Sequence, residues 1–123
     1  MFSNEIKIML YVNDVPASSQ FWQAIGFVER ERAAVDGTVV VELSPTAESQ
    51  TRIVLYDLGF IQQHSPEVAG NSPSLMFASD TIFDLYKKMQ AAHVTLGDLV
   101  QLGEEYVFNF ADNEGNYFAV SGK

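Results

Sequence analysis

Few side chains in this sequence are of the kinds that do covalent or metal chemistry. There are two histidines, His64 and His93, and no cysteine. Without cysteine there is no disulfide and no thiolate nucleophile, and the composition suits a reducing cytoplasm. A metal site normally shows itself as several His, Cys, Asp or Glu residues at close, regular spacing. Here His64 stands in a polar stretch near Glu67, and His93 closes a helical pattern elsewhere in the chain. No Ser-His-Asp order, phosphate-cradling glycine loop or paired-carboxylate spacing stands out. Glu104-Glu105 reads as a solvated loop before a strand. No catalytic residue is assigned, and neither a metal nor another cofactor is expected.

The bulk composition limits the remaining classes. At 123 residues, with 47% hydrophobic side chains, the chain is long enough for one domain with a real core. The formal net charge of -9 is spread over both halves and repels phosphate backbones, so nucleic-acid binding is not expected. No stretch approaches a transmembrane span, and the first residues lack the charged-then-apolar profile of a secretory signal. A cytoplasmic protein that does not bind membranes is the expectation.

The elements that must position any site can be read in order. Residues 6–12 alternate as a strand, with Ile6, Ile8, Leu10 and Val12 on one face and Lys7, Met9 and Tyr11 on the other. Pro16 opens a helix over residues 16–25, where its fixed φ and missing N–H cost nothing. Ala17, Phe21, Ala24 and Ile25 form its expected core stripe, with Trp22 packing beside it and Gly26 as the stop. Residues 27–32 make an edge strand of alternating charge, Asp36-Gly37 signals a tight hairpin, and strands follow at 38–43 and 51–57. Residues 59–72, with two glycines and Pro66, read as a linker.

The same pattern then restarts. A strand over 74–78 leads to Asp80 as N-cap and a helix over 81–92 with Ile82, Leu85, Tyr86 and Met89 inward. His93 follows where a helix-ending glycine is usual, in a left-handed conformation that His adopts more readily than most residues. Strands are expected near 94–100, 106–110 and 117–121. The last two flank Asp112-Asn113-Glu114-Gly115-Asn116, a cluster of turn-forming residues between aromatic and β-branched runs. The chain thus reads as strand–helix–strand–strand–strand twice, with one module over about 4–58 and another over about 73–123.

This repeated order is similar to that of the vicinal oxygen chelate superfamily, which includes glyoxalase I, extradiol dioxygenases and bleomycin-resistance proteins. Residues 10–15 with Ser18, Ser19, Phe21, Trp22, Gly26 and Phe27 resemble the family's first strand and helix. The segment 112–116 resembles its closing Asp-Pro-(Asp/Glu)-Gly-Asn turn, with Asn113 in place of proline. The resemblance implies an α+β fold in which two βαβββ modules form a cup-shaped, mostly antiparallel curved sheet with helices outside. It also implies four inward metal-ligand positions, which match Lys7, Leu55, Pro73 and Ala119. Lysine offers donors and no acceptor, and the other three side chains offer no lone pair, so the metal site is expected to be absent.

What the resemblance leaves is a pocket wall. Parity groups Lys7 with Met9 and Tyr11, Leu55 with Ile53 and Asp57, Leu75 and Phe77 with Pro73, and Ala119 with Tyr117 and Ser121. The expected ligand pocket is therefore Lys7, Met9, Tyr11, Leu55, Asp57, Leu75, Phe77, Tyr117 and Ala119, an apolar and aromatic lining with a few polar groups. A filled core is the other reading of the same residues. Lys7 either pairs with a carboxylate such as Asp57 or reaches the rim, and the apolar lining favours the rim. The function implied is a metal-free small-molecule binding protein, nearest in type to the bleomycin-resistance proteins, which sequester an antibiotic. An acidic groove suits a cationic drug. The enzyme alternative is a lyase, isomerase or dioxygenase-like protein working through Lys7, Tyr11, Glu42 and Asp57, and a structural or regulatory module needs no pocket at all. A homodimer is expected, since two-fold dimers are the commonest soluble oligomers.

Overall fold

The computed structural model describes residues 1–123. Its elements are β1 (Ile6–Val12), α1 (Val15–Ala24), β2 (Val28–Val35), β3 (Thr38–Ser44), β4 (Thr51–Asp57), α2 (Leu58–His64), β5 (Met76–Ser79), α3 (Ile82–Ala91), β6 (Thr95–Leu96), β7 (Val100–Leu102), β8 (Glu105–Ala111) and β9 (Tyr117–Gly122). They form two compact units, Met1–Pro73 and Ser74–Lys123.

The repeat read from the sequence is present as a repeated topology. In the first unit the strand order is β1-β4-β3-β2, with β1 parallel to β4 and the other pairs antiparallel. In the second unit β5 lies parallel to β9, β9 is antiparallel to β8, and β8 is antiparallel to both β6 and β7. The short β6 and β7 lie along the same partner, so together they occupy the place that one strand takes in the first unit. Each unit is thus a βαβββ module, and the fold is α+β with mostly antiparallel sheets.

In the first unit the apolar face is set by register. Leu10 pairs with Leu55, Leu43 with Ile53, and Val41 with Leu55, and each of these side chains is at most 2% exposed. Helix α1 covers this face. Glu29 stands opposite Leu43, and the Ser19 hydroxyl of α1 donates to its carboxylate at 3.5 Å. The stripe that α1 buries is Val15, Ser18, Ser19 and Trp22, not the expected Ala17, Phe21 and Ala24. The spacing i, i+3, i+4, i+7 is helical, but two serines in it hide the apolar period. Trp22 is fully buried, edge-on to Phe21 at 5.7 Å and to Phe27 at 4.9 Å. Asp14 caps the helix by accepting from the Ala17 amide at 3.0 Å.

Two tight turns carry strained or exacting geometry. Asp36 and Gly37 both have positive φ, 47° and 79°, as a two-residue hairpin with strand-matched twist requires. In the last turn the nearly buried Asp112 accepts from the amides of Glu114 and Asn116, both at 2.9 Å, and from Asn116 Nδ2 at 3.0 Å.

Three expectations are corrected. The stretch read as a linker contains α2, capped by the Asp57 carboxylate on the Phe60 amide at 2.9 Å. Two glycines and Pro66 made it look irregular, yet Pro66 lies beyond the helix. The N-cap of α3 is Thr81 rather than Asp80. The strand expected near 94–100 is split into β6 and β7. His93 does take the left-handed conformation, with φ of 59°.

Candidate functional site

Two groups of side chains lie on sheet faces away from the helices, one in each unit. In the first unit the face opposite α1 carries Lys7, Met9 and Tyr11 from β1. The parallel register sets these beside Arg52, Val54 and Tyr56 of β4, and Glu42 of β3 stands opposite Val54. Glu42 joins the two cations: its carboxylate accepts from Arg52 Nη1 at 3.0 Å and from Lys7 Nζ at 3.4 Å. Glu31 and Glu5 add outer ion pairs, to Arg52 at 3.6 Å and to Lys7 at 3.5 Å. The hydrogen bond to Glu42, and then its charge, hold the Lys7 ammonium above the ordinary lysine range. Arg52 and Glu42 side chains are 18% and 13% exposed, so this triad ties β1, β3 and β4 together in a partly dry setting.

Lys7 therefore takes neither of the two positions expected of it in full. It is half exposed yet paired, and its partner is Glu42 rather than Asp57. Leu55 and Asp57 lie on the other face from Lys7. Leu55 stands opposite Leu10 and is fully buried on the α1 side, while Asp57 stands opposite Val12 and caps α2. The cause is plain in the sequence: Ile53-Val54-Leu55-Tyr56 is apolar at every position, and a central strand buried on both faces carries no readable alternation.

In the second unit β8 and β9 place Phe108, Phe110, Phe118 and Val120 on the face covered by α3. Tyr86 of α3 meets Phe108 edge-on at 4.9 Å, and Phe83 meets Tyr106 at 4.7 Å. Phe77 stands opposite Val120 and packs with Phe110 and Phe118, at ring distances of 6.4 and 6.2 Å. It belongs to the core and not to the open face, contrary to expectation. Met76, 60% exposed, takes the open side instead. Again Leu75-Met76-Phe77 is apolar throughout, and β5 is too short for parity to be read from it.

The open face of this unit holds a cleft of about 260 Å³, lined by Ser74, Leu75, Asn109, Tyr117, Phe118 and Ala119. Of the expected pocket residues it brings together Leu75, Tyr117 and Ala119. Asn109 stands directly opposite Ala119, and the Leu75 carbonyl accepts from the Ala119 amide at 3.0 Å. Ser74, Asn109 and Phe118 were not foreseen. A signal for Asn109 exists: it is the polar residue between Phe108 and Phe110, so alternation alone turns it from the core.

The topology can be compared with solved structures. UcmS2 superposes with a TM-score of 0.82 at 18% identity, covering 100% of both chains. TnmS3, an antibiotic binding protein from Streptomyces sp. CB03234, superposes with a TM-score of 0.79 at 17% identity, over 98% of this chain and 96% of that one. A superfamily member from Sphaerobacter thermophilus DSM 20745 gives 0.81 at 18% identity, over 99% and 98%. The fold is that of the glyoxalase/bleomycin resistance protein/dioxygenase superfamily. No family model matches the sequence, and no curated protein matches it either.

The metal that this superfamily's resemblance implies can be tested against the residues present. Lys7 is a cation held by Glu42, Leu55 is sealed under α1, and Pro73 and Ala119 carry no donor atom. No group of three His, Cys, Asp or Glu side chains converges anywhere in the chain. Of the two carboxylates at Lys7, Glu42 already accepts from two cations and Glu5 is paired with Lys7 itself. The donor set does not fit a divalent ion.

Proposed function

We propose that this chain is a metal-free binding protein that sequesters an amphipathic, antibiotic-like small molecule, with the cleft between β5, β8 and β9 as a contact surface. One observation carries the reading. Where the resemblance implies a metal ligand, Ala119 instead forms an apolar floor with Leu75, rimmed by the neutral polar side chains of Ser74, Asn109 and Tyr117. An apolar surface with a few oriented polar groups is the usual make-up of a small-molecule site. The likeness to TnmS3, described as an antibiotic binding protein, supports the same class.

The enzyme alternative gains nothing comparable. Among its candidates, Lys7 and Glu42 are spent on each other and Asp57 caps α2. A resistance role and a homodimer belong to the same reading. So does a cytoplasmic location, which the cysteine-free composition suits; no helix is long and apolar enough to cross a membrane.

The test is titration of the isotope-labelled protein with chloramphenicol, a neutral aromatic antibiotic, followed by amide chemical shifts and by mass spectrometry of the recovered drug. Saturable shifts at Asn109, Tyr117 and Ala119 with an unaltered drug mass are expected. A chemically changed drug would refute sequestration and restore the enzyme reading. Light scattering checks the assembly, with twice the chain mass of 13.7 kDa expected.

A further inference from the structure

We infer that the cleft of the second unit selects a neutral planar ring with a hydrogen-bond donor beside an acceptor, as in a lactam or imide edge, and that Asn109 reads that edge. This rests on the proposal that the cleft binds a small molecule, and it names the chemistry of what is bound.

The first ground is charge. The sequence has 23 charged side chains, 7 basic and 16 acidic, yet none lines the cleft. A cation drawn toward a chain of net charge -9 would find no counter-charge here. Charged groups entering it would lose hydration without a compensating partner, which is costly. A neutral ring loses little and gains the contacts of Leu75 and Ala119.

The second ground is the amide. Asn109 sits between Phe108 and Phe110, each 1% exposed on the α3 side, so its side chain stands on the opposite face. Its backbone is held from both sides, by the β9 ladder at Ala119 and by the Gly97 amide donating to its carbonyl at 2.8 Å. Its side-chain amide makes no hydrogen bond within the protein. It therefore presents a free carbonyl acceptor and a free NH2 donor from a fixed strand. A lactam offers the complementary N–H and C=O side by side, so both groups are satisfied by one ligand edge.

The third ground is shape. Tyr117 lies two residues from Ala119 on the same face and is 67% exposed, leaving its ring available to pack over a flat ligand. A volume of about 260 Å³ is just below the range of whole drug-sized sites, about 300–1,000 Å³. It accommodates a one- or two-ring moiety, such as the terminal part of a larger molecule.

Three bicyclic probes of nearly one size test this: 2-quinolone with donor and acceptor, quinoline with an acceptor only, and the N-methylquinolinium cation. Affinities are read from amide shifts, including the Asn109 side-chain NH2. One net hydrogen bond corresponds to roughly twofold to tenfold in affinity. 2-Quinolone is expected to bind tighter than quinoline by about that factor, and quinolinium no tighter than quinoline. Asn109→Ala removes the preference. Asn109→Asp, of the same size, reverses it toward quinolinium, and unchanged shifts away from residues 107–111 and 117–119 certify both folds. Equal binding of 2-quinolone and quinoline in the cleft, insensitive to Asn109→Ala, would overturn the selectivity while leaving the cleft a binding site. No shift in the cleft with any probe would overturn the binding reading itself, and the selectivity with it.

Discussion

Replacing Asp112 by alanine tests the last turn, which joins the two strands behind the cleft. The carboxylate of Asp112 is 6% exposed in its residue and holds two amides at 2.9 Å and the Asn116 side chain at 3.0 Å. Hydrogen bonds to a charged acceptor contribute about 1.5–3 kcal/mol each, but contributions within one cluster are not additive. Water also reaches Glu114 and Asn116, which are only half buried, and recovers part of the loss. Asp112→Ala should therefore cost about 2–4 kcal/mol. Asp112→Asn keeps the oxygen that both backbone amides use and loses one bond, to Asn116, for about 1 kcal/mol. Urea denaturation followed by far-ultraviolet circular dichroism reads the difference. With a slope of roughly 1–3 kcal/mol per molar urea, the alanine midpoint should fall by about 1–2 M. An alanine variant within about 0.5 kcal/mol of the parent, or an asparagine variant as damaged as the alanine one, would refute the assignment of this stability to the carboxylate.

Four further outcomes are expected. Gly122→Ala would drive a Cβ into the Ser79 carbonyl, so β5 must shift; a loss on the order of 3 kcal/mol and displaced amide shifts across β5 should follow. His93→Gly relieves an exposed residue at φ of 59°, and against glycine's own entropic cost a net gain of about 0.5–1 kcal/mol should appear in the same denaturation assay. Lys7 deprotonates at higher pH in the folded chain than in the unfolded one, so its contribution is complete below the unfolded value and is lost as pH rises through the folded one. Heteronuclear titration of its ammonium should show the midpoint fall toward the ordinary lysine value in Glu42→Gln. Elemental analysis of protein purified without chelators should find no stoichiometric divalent metal, and one tightly held ion per chain would reject the donor-set argument.

The sequence by itself determined whatever depends on neighbours along the chain. The hairpin at Asp36-Gly37, the turn from Asp112 to Asn116 and the left-handed end of α3 at His93 follow from backbone preferences of single residues. The two faces of β1 were legible because Lys7 and Tyr11 break an otherwise apolar alternation with Leu10 and Val12. The repeated βαβββ order followed from the same local signals read twice. The tertiary structure alone decided which way β4 and β5 face, because runs that are apolar on both sides leave no alternation and only pairing with β1 and β9 sets their register. It also decided that two serines of α1 are buried, that Lys7 meets Glu42 across 35 residues of sequence, and that Asn109 meets Ala119 across a ladder. Those contacts depend on strand order, and side-chain chemistry along a single strand carries no information about which strand will lie beside it.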